Sequence, residues 1–283
     1  HGSVDNFMFD LNKKNEIIGK SGSNFYKDEV LMLEYNNIEQ SLNLLKKNRK
    51  KISGLIMEPI QASCPDEQSE NYVKTIYNFC KKNKIYIIFD EIITGLRNKK
   101  LCVFKKLNLT PDIVTFAKIF GGGLPIGICC INKNLNSKLN SLNEKVFFGG
   151  TFSGNPFSSI VGLNTFKHIK KNKDKIFKHI EIISNYIEEE INLFCEKKDL
   201  NFRIQSYNSI LRPIFSKNII LNKKQREIFD PSLSKTEKLR KYLLKNQIFV
   251  GKNGAIFICS QHNMDDAKKL IKTITQYLSI KNS

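Results

Sequence analysis

The chain has 283 residues, with 46 Lys and Arg against 27 Asp and Glu, so its formal net charge is 46 − 27 = +19. At roughly 100–200 residues per domain this is one large domain or two ordinary ones, long enough to bury a real core. A hydrophobic content of 41% and a mean hydropathy of −0.32 argue against both a membrane-spanning and a disordered chain, and no apolar run approaches the roughly 20 residues that cross a bilayer.

Residues 3–30 are weakly patterned and read as a polar loop, turn-like around Gly19 to Ser23. Asn36-Asn37 then caps a stretch with apolar residues at Ile38, Leu42, Leu44 and Leu45, which predicts a helix over 38–50. A short apolar run, 52–57, ends at Glu58-Pro59, where proline cannot continue a central strand. A second amphipathic helix is expected over 69–84, through Tyr72, Ile76, Phe79 and Cys80. Residues 85–89 read as a fully buried strand ending on Asp90-Glu91; further strands are expected over 112–116, ending at Ala117-Lys118, and over 126–131. Apolar strands alternating with helices predict an α/β fold with a mostly parallel sheet.

Beyond residue 155 the spacing of Ile176, Ile180, Ile183, Ile187, Ile191 and Phe194 predicts long helices to about residue 197. Paired strands are expected over 203–207 and 210–215 around Asn208-Ser209, and helices over 236–246 and 264–278. This second half reads as a small α+β domain with no catalytic group of its own.

The basic residues are spread out, in short clusters such as Lys46, Lys47, Arg49 to Lys51, and Lys170, Lys171 and Lys173. No zinc-finger spacing, RNA-binding aromatic signature or basic heptad accompanies them, so they read as solvated surface and nucleic acid is not an expected partner. The seven cysteines form no C-x-x-C pair, and the four histidines build no ligand cluster with them. That composition predicts buried thiols in a reducing cytoplasm, and no metal. The first residues show no basic-then-apolar run, so a signal peptide is not expected from them.

In open α/β sheets ligands gather at the carboxyl ends of the strands. Glu58, Asp90 with Glu91, and Lys118 are each the first polar residues after an apolar strand. Lys118 precedes Gly121-Gly122-Gly123, a crowded position suited to a lowered pKa and Schiff-base chemistry.

Phe89-Asp90-Glu91-Ile92-Ile93-Thr94-Gly95-Leu96-Arg97 resembles the F-D-E-V-x-T-G-x-R segment of the class III (fold type I) pyridoxal-phosphate aminotransferases. Thr110-Pro111-Asp112-Ile113 and the run from Ala117-Lys118 to Gly127 resemble that family's Schiff-base lysine segment. Gly149-Gly150-Thr151-Phe152-Ser153-Gly154-Asn155-Pro156 is similar to its G-T-x-S-G-N-P turn, Met57-Glu58-Pro59 to its E-P strand end, and His1-Gly2 to a Y-H-G motif without its tyrosine. The glutamate-1-semialdehyde aminomutase-like members are the nearest subgroup by these motifs.

The resemblance implies a fold type I transferase with an incomplete, mostly parallel large-domain sheet over residues 1–166 and a small C-terminal domain over 167–283. It implies a pyridoxal 5′-phosphate cofactor, with Asp90 against the ring nitrogen, Ile92 on the ring face, and Lys118 as both Schiff-base residue and catalytic base. Thr151 would contact the phosphate of a neighbouring subunit, so a homodimer is implied, with a small-molecule amino donor and a carbonyl acceptor as substrates. Ile92 would share the face of Asp90 if the strand continued through it. Glu58 is read equally as structural, and residues 3–30 as the family's mobile gate.

Two features depart from the pattern. The family's N-terminal part is absent, so the chain reads as the C-terminal portion of a longer protein, and a cofactor-free or truncated non-enzymatic relative stays open. The aminomutases carry an acidic residue where Gly254 aligns. Intermolecular amino transfer is therefore the expected reaction, with intramolecular transfer as the alternative.

Overall fold

The computed structural model describes residues 9–11, 16–19, 28–141 and 149–281. His1-Gly2 lies outside them. Within 3–30, the described residues form two short antiparallel strands, β1 (Phe9–Leu11) and β2 (Ile17–Gly19).

The first layered unit alternates helix and strand as its apolar spacing predicts. Helix α1 (Ile38–Asn48) is capped by Asn37, whose side chain accepts the Gln40 N–H at 3.0 Å. Strand β3 (Gly54–Met57), helix α2 (Ser69–Lys82), strand β4 (Tyr86–Asp90), the short helix α3 (Val103–Lys106), and strands β5 (Ile113–Ala117) and β6 (Gly127–Ile131) follow. The sheet order is β3-β4-β5-β6. The first three strands are mutually parallel and β6 is antiparallel to β5. Val73, Ile76 and Cys80 of α2 are fully buried against Ile87 and Phe89 of β4; burying such side chains contributes roughly 1.5–3 kcal/mol each.

One expectation fails at the sheet's edge. All seven cysteines are free, but only Cys64, Cys80, Cys102 and Cys195 are buried. Cys129, Cys130 and Cys259 are exposed. The first two stand on β6, which pairs with β5 alone among the described strands.

After α4 (Lys133–Asn140) the chain enters α5 (Pro156–Lys197), a single helix of 42 residues. Asn155 caps it by accepting the Ser158 N–H at 3.1 Å, and Pro156 stands at its first turn. The boundary expected at residue 166 falls inside this helix. Strands β7 (Arg203–Tyr207), β8 (Ile210–Ile214) and β9 (Ile256–Phe257) form an antiparallel sheet in that order. Helices α6 (Lys223–Phe229), α7 (Ser234–Lys245) and α8 (Met264–Lys281) complete the unit. One core joins both halves: Val114 and Phe116 of β5 pack in the same cluster as Ile183, Ile187 and Ile191 of α5, Ile204 of β7 and Ile274 of α8. No described helix is long and apolar enough to cross a membrane.

Candidate active site

Strand register builds the site. Met57 stands opposite Phe89, and Asp90 opposite Thr115, on parallel strands. The residues that end β3, β4 and β5 therefore emerge on the same edge of the sheet, and these are Glu58, Asp90 and Lys118.

Asp90 is 5% exposed, and its Oδ1 accepts the Ile92 N–H at 3.0 Å. That bond turns the backbone. Strand β4 stops at Asp90 and residues 92–96 form a turn, so the condition for Ile92 to share the face of Asp90, a strand continued through it, is not met. Ile92 is half-buried in that turn.

Lys118 opens a 3-10 turn directly after β5 and adopts φ +51°, in the left-handed region that non-glycine residues avoid. The residue keeps substantial solvent exposure while its amine is partly shielded. The turn ends at Gly122, with φ +60°, where an added Cβ would lie 2.3 Å from Thr165 Oγ1 of α5. The glycine thus lets the lysine-bearing turn rest directly on the long helix.

The charges of the three strand ends act on one another. Burial and then the Asp90 carboxylate push the Glu58 carboxyl up to about 7, against a hydrogen bond from the Ala62 backbone and the Lys118 charge. Partial burial holds the Lys118 amine below the ordinary lysine range; Arg97 acts in the same direction, and Glu58 and Asp90 oppose it. A lowered amine has more of its unprotonated, nucleophilic form at neutral pH.

Two residues that the sequence pattern leaves without a role organise this loop. Glu91 is fully buried and accepts from Thr94 Oγ1 at 3.1 Å, Val103 N–H at 2.8 Å and Phe104 N–H at 2.9 Å, which closes the segment after Asp90. Arg97 is 8% exposed; it donates through Nε to Ile93 O at 2.6 Å and through Nη1 to Ser209 Oγ at 2.8 Å, and its guanidinium lies 4.6 Å from the Phe257 ring centroid. It ties the Asp90 loop to the β7–β8 turn and to β9. Both residues stand in the F-D-E…R motif, but the Arg97 contact with Ser209 spans 112 positions and leaves no local signal. Thr151 sits exposed on a turn before the α5 cap.

Glu58 gives a pH signature that needs no substrate. Its folded pKa lies above the ordinary carboxylate value, so the folded chain keeps a proton that the unfolded chain releases. That contribution to stability is full below about pH 4.5 and lost as pH rises to about 7. Glu58→Gln is expected to flatten this part of a Tm-versus-pH curve and to raise stability at pH 7 by on the order of 1–3 kcal/mol. A variant curve parallel to that of the parent would contradict the assignment.

A buried carboxylate and a lowered amine thus stand at the ends of adjacent parallel strands of a mixed α/β sheet. The chain belongs to the class-III aminotransferase family, whose model matches residues 5–206. It is 28% identical over 255 residues to a glutamate-1-semialdehyde 2,1-aminomutase of Caldicellulosiruptor bescii, covering 89% of this chain and 59% of that one. It is 30% identical over 252 residues to the enzyme of that name from Methanosphaera stadtmanae, covering 87% and 57%. The chain thus spans less than two thirds of the length of these relatives. Among solved structures, a glutamate-1-semialdehyde aminomutase of Pseudomonas aeruginosa in complex with PMP superposes with a TM-score of 0.85 at 15% identity, covering 99% of this chain and 64% of that one. An omega-transaminase of Sphaerobacter thermophilus gives a TM-score of 0.81 at 17% identity, covering 99% and 66%.

Proposed function

We propose that this chain carries the acid–base centre of a pyridoxal-phosphate aminotransferase that moves an amino group between a small-molecule donor and a carbonyl acceptor. The observation behind this reading is the lowered Lys118 amine at the strand end next to buried Asp90. A carboxylate and an amine so arranged suit a cofactor with a basic ring nitrogen and an aldehyde. When bound, that cofactor supplies an electron sink for the substrate α-carbon.

The protein's own groups do the rest. Asp90 would hold a proton at the ring nitrogen, and its bond to the Ile92 N–H fixes the direction of the carboxylate. Ile92 would flank the ring. Lys118 would hold the cofactor through its amine and serve as the base that takes and returns the proton of the substrate α-carbon. Thr151 would serve the phosphate of a second copy. The exposed Phe152, Phe157 and Ile160 beside it are apolar surface suited to a homodimer interface. The seven free cysteines fit a cytoplasmic enzyme. We take 1–166 and 167–283 as its large and small domains, with α5 shared by both.

The names of the curated relatives favour a second reading, glutamate-1-semialdehyde aminomutase, in which the amino group moves within one substrate. At the position of the acidic residue expected for that reaction stands Gly254, with φ +77° and a would-be Cβ 2.2 Å from Thr236 Cγ2. That crowding supports the intermolecular reaction. Incubating the full-length protein with glutamate-1-semialdehyde distinguishes the two. The transferase reading expects product only when an amino donor is supplied; 5-aminolevulinate without any donor overturns it.

A further inference from the structure

A second concavity lies apart from the three strand ends. It is a cavity of about 260 Å³, formed where the loop after β4, the middle of α5 and the β7–β8 turn meet. Its lining is unevenly charged. Lys99 pairs with Glu181 at 3.8 Å, and Lys106 with Glu67 at 2.7 Å. The two lining carboxylates are thereby engaged, while Arg97 and Lys100, which also line it, have no ion-pair partner among the described residues.

Its polar groups lack acceptors. Arg97 uses Nε and Nη1 in hydrogen bonds, and its Nη2 has none among the described residues. Asn98 is 6% exposed; its Oδ1 accepts the Lys100 N–H at 2.9 Å, which fixes the amide orientation, and its Nδ2 is buried without a partner. Asn208, across the cavity on the β7–β8 turn, likewise has a buried Nδ2 with no partner. Buried donors are normally satisfied, and exceptions call for an explanation. What this wall lacks is a group rich in acceptors and negative in charge.

We propose that the cavity is a binding site for a small oxyanion, a carboxylate or a phosphate, held by Arg97, Asn98, Lys100 and Asn208. Its volume corresponds to several waters at about 30 Å³ each, which suits a small metabolite. Charge-assisted hydrogen bonds from a guanidinium and an ammonium provide the attraction, and the amides provide direction. The cavity shares Arg97 with the loop that follows Asp90, while Glu58, Asp90 and Lys118 do not line it.

The test uses the full-length protein saturated with pyridoxal phosphate, so that the cofactor's own phosphate position is filled. Inorganic phosphate and succinate are titrated separately, with potassium chloride at matched ionic strength as the reference, and Tm is followed. A saturable rise with one anion and not the other identifies which source of oxyanion fits; a rise with both supports the shared chemistry. Asn98→Asp keeps the acceptor for Lys100 N–H, removes the donor and adds a repelling charge, so it is expected to weaken binding about tenfold or more. Lys100→Ala alters an exposed side chain and decides the question if the first variant does not fold. No saturable rise with either anion, or unchanged anion affinity in the folded variants, overturns the proposal.

Discussion

Replacement of Lys118 by alanine is expected to lower amino transfer by roughly a thousandfold or more while leaving the fold intact. Structurally the lysine keeps substantial solvent exposure, so its truncation leaves no cavity in the core. Alanine inherits the φ of +51° without a longer side chain to hold, so strain in the turn is almost unchanged. Chemically the loss is large because one amine is assigned two duties, anchoring the cofactor and carrying the α-proton, and general-base duty alone typically contributes roughly 10²–10⁴-fold. The measurement is single-turnover transfer by the full-length variant, with Tm as the control for folding. Partial rescue by a small added primary amine is also expected, since the missing group is chemically simple. Near-parental activity in a folded variant would remove Lys118 from the mechanism.

Asp90→Asn is the second large effect. The residue is buried at the end of β4, and Asn keeps its shape and the acceptor for the Ile92 N–H. What it loses is the negative charge that holds a proton at the ring nitrogen, so a decrease of roughly 10²–10³-fold in transfer rate is expected. The substitution has a second readout in the neighbouring strand. Asp90 is the charge that most strongly reinforces the raised pKa of Glu58, so the Glu58 titration should move to lower pH in the Asn variant. A variant that lost activity without moving that titration would point to a packing defect rather than to charge.

Much of this could be read from the chain because its signals are local. The strands that end at Glu58, Asp90 and Lys118 are short apolar runs stopped by polar residues, and the amphipathic stripes of α1, α2 and α8 repeat at helical spacing. Other features depend on partners far away in sequence. The antiparallel pairing of β6 with β5 is set between segments, which composition does not encode. The turn at Ile92 comes from one side-chain acceptor on Asp90, a bond that the apolar pattern of the strand does not announce. Helix α6 has no buried residue, hence no apolar period to betray it. Arg97 was visible as a motif letter, but its use as a clamp depends on Ser209 and Phe257, which belong to the second half of the chain.

The 42-residue helix α5 has a mechanical consequence. At 1.5 Å per residue it is a rod of roughly 63 Å. Near its start it bears on the Lys118 turn through Thr165 and Gly122; further along, Ile183, Ile187 and Ile191 are sunk in the core beneath the second sheet. Such a rod resists bending, so a tilt imposed at the buried end is delivered to the lysine turn as a displacement. The Lys118 amine is therefore aimed from a distance: apolar side chains in the core act as its bearing, and alignment of the strand-end residues and cohesion of the core become one mechanical property.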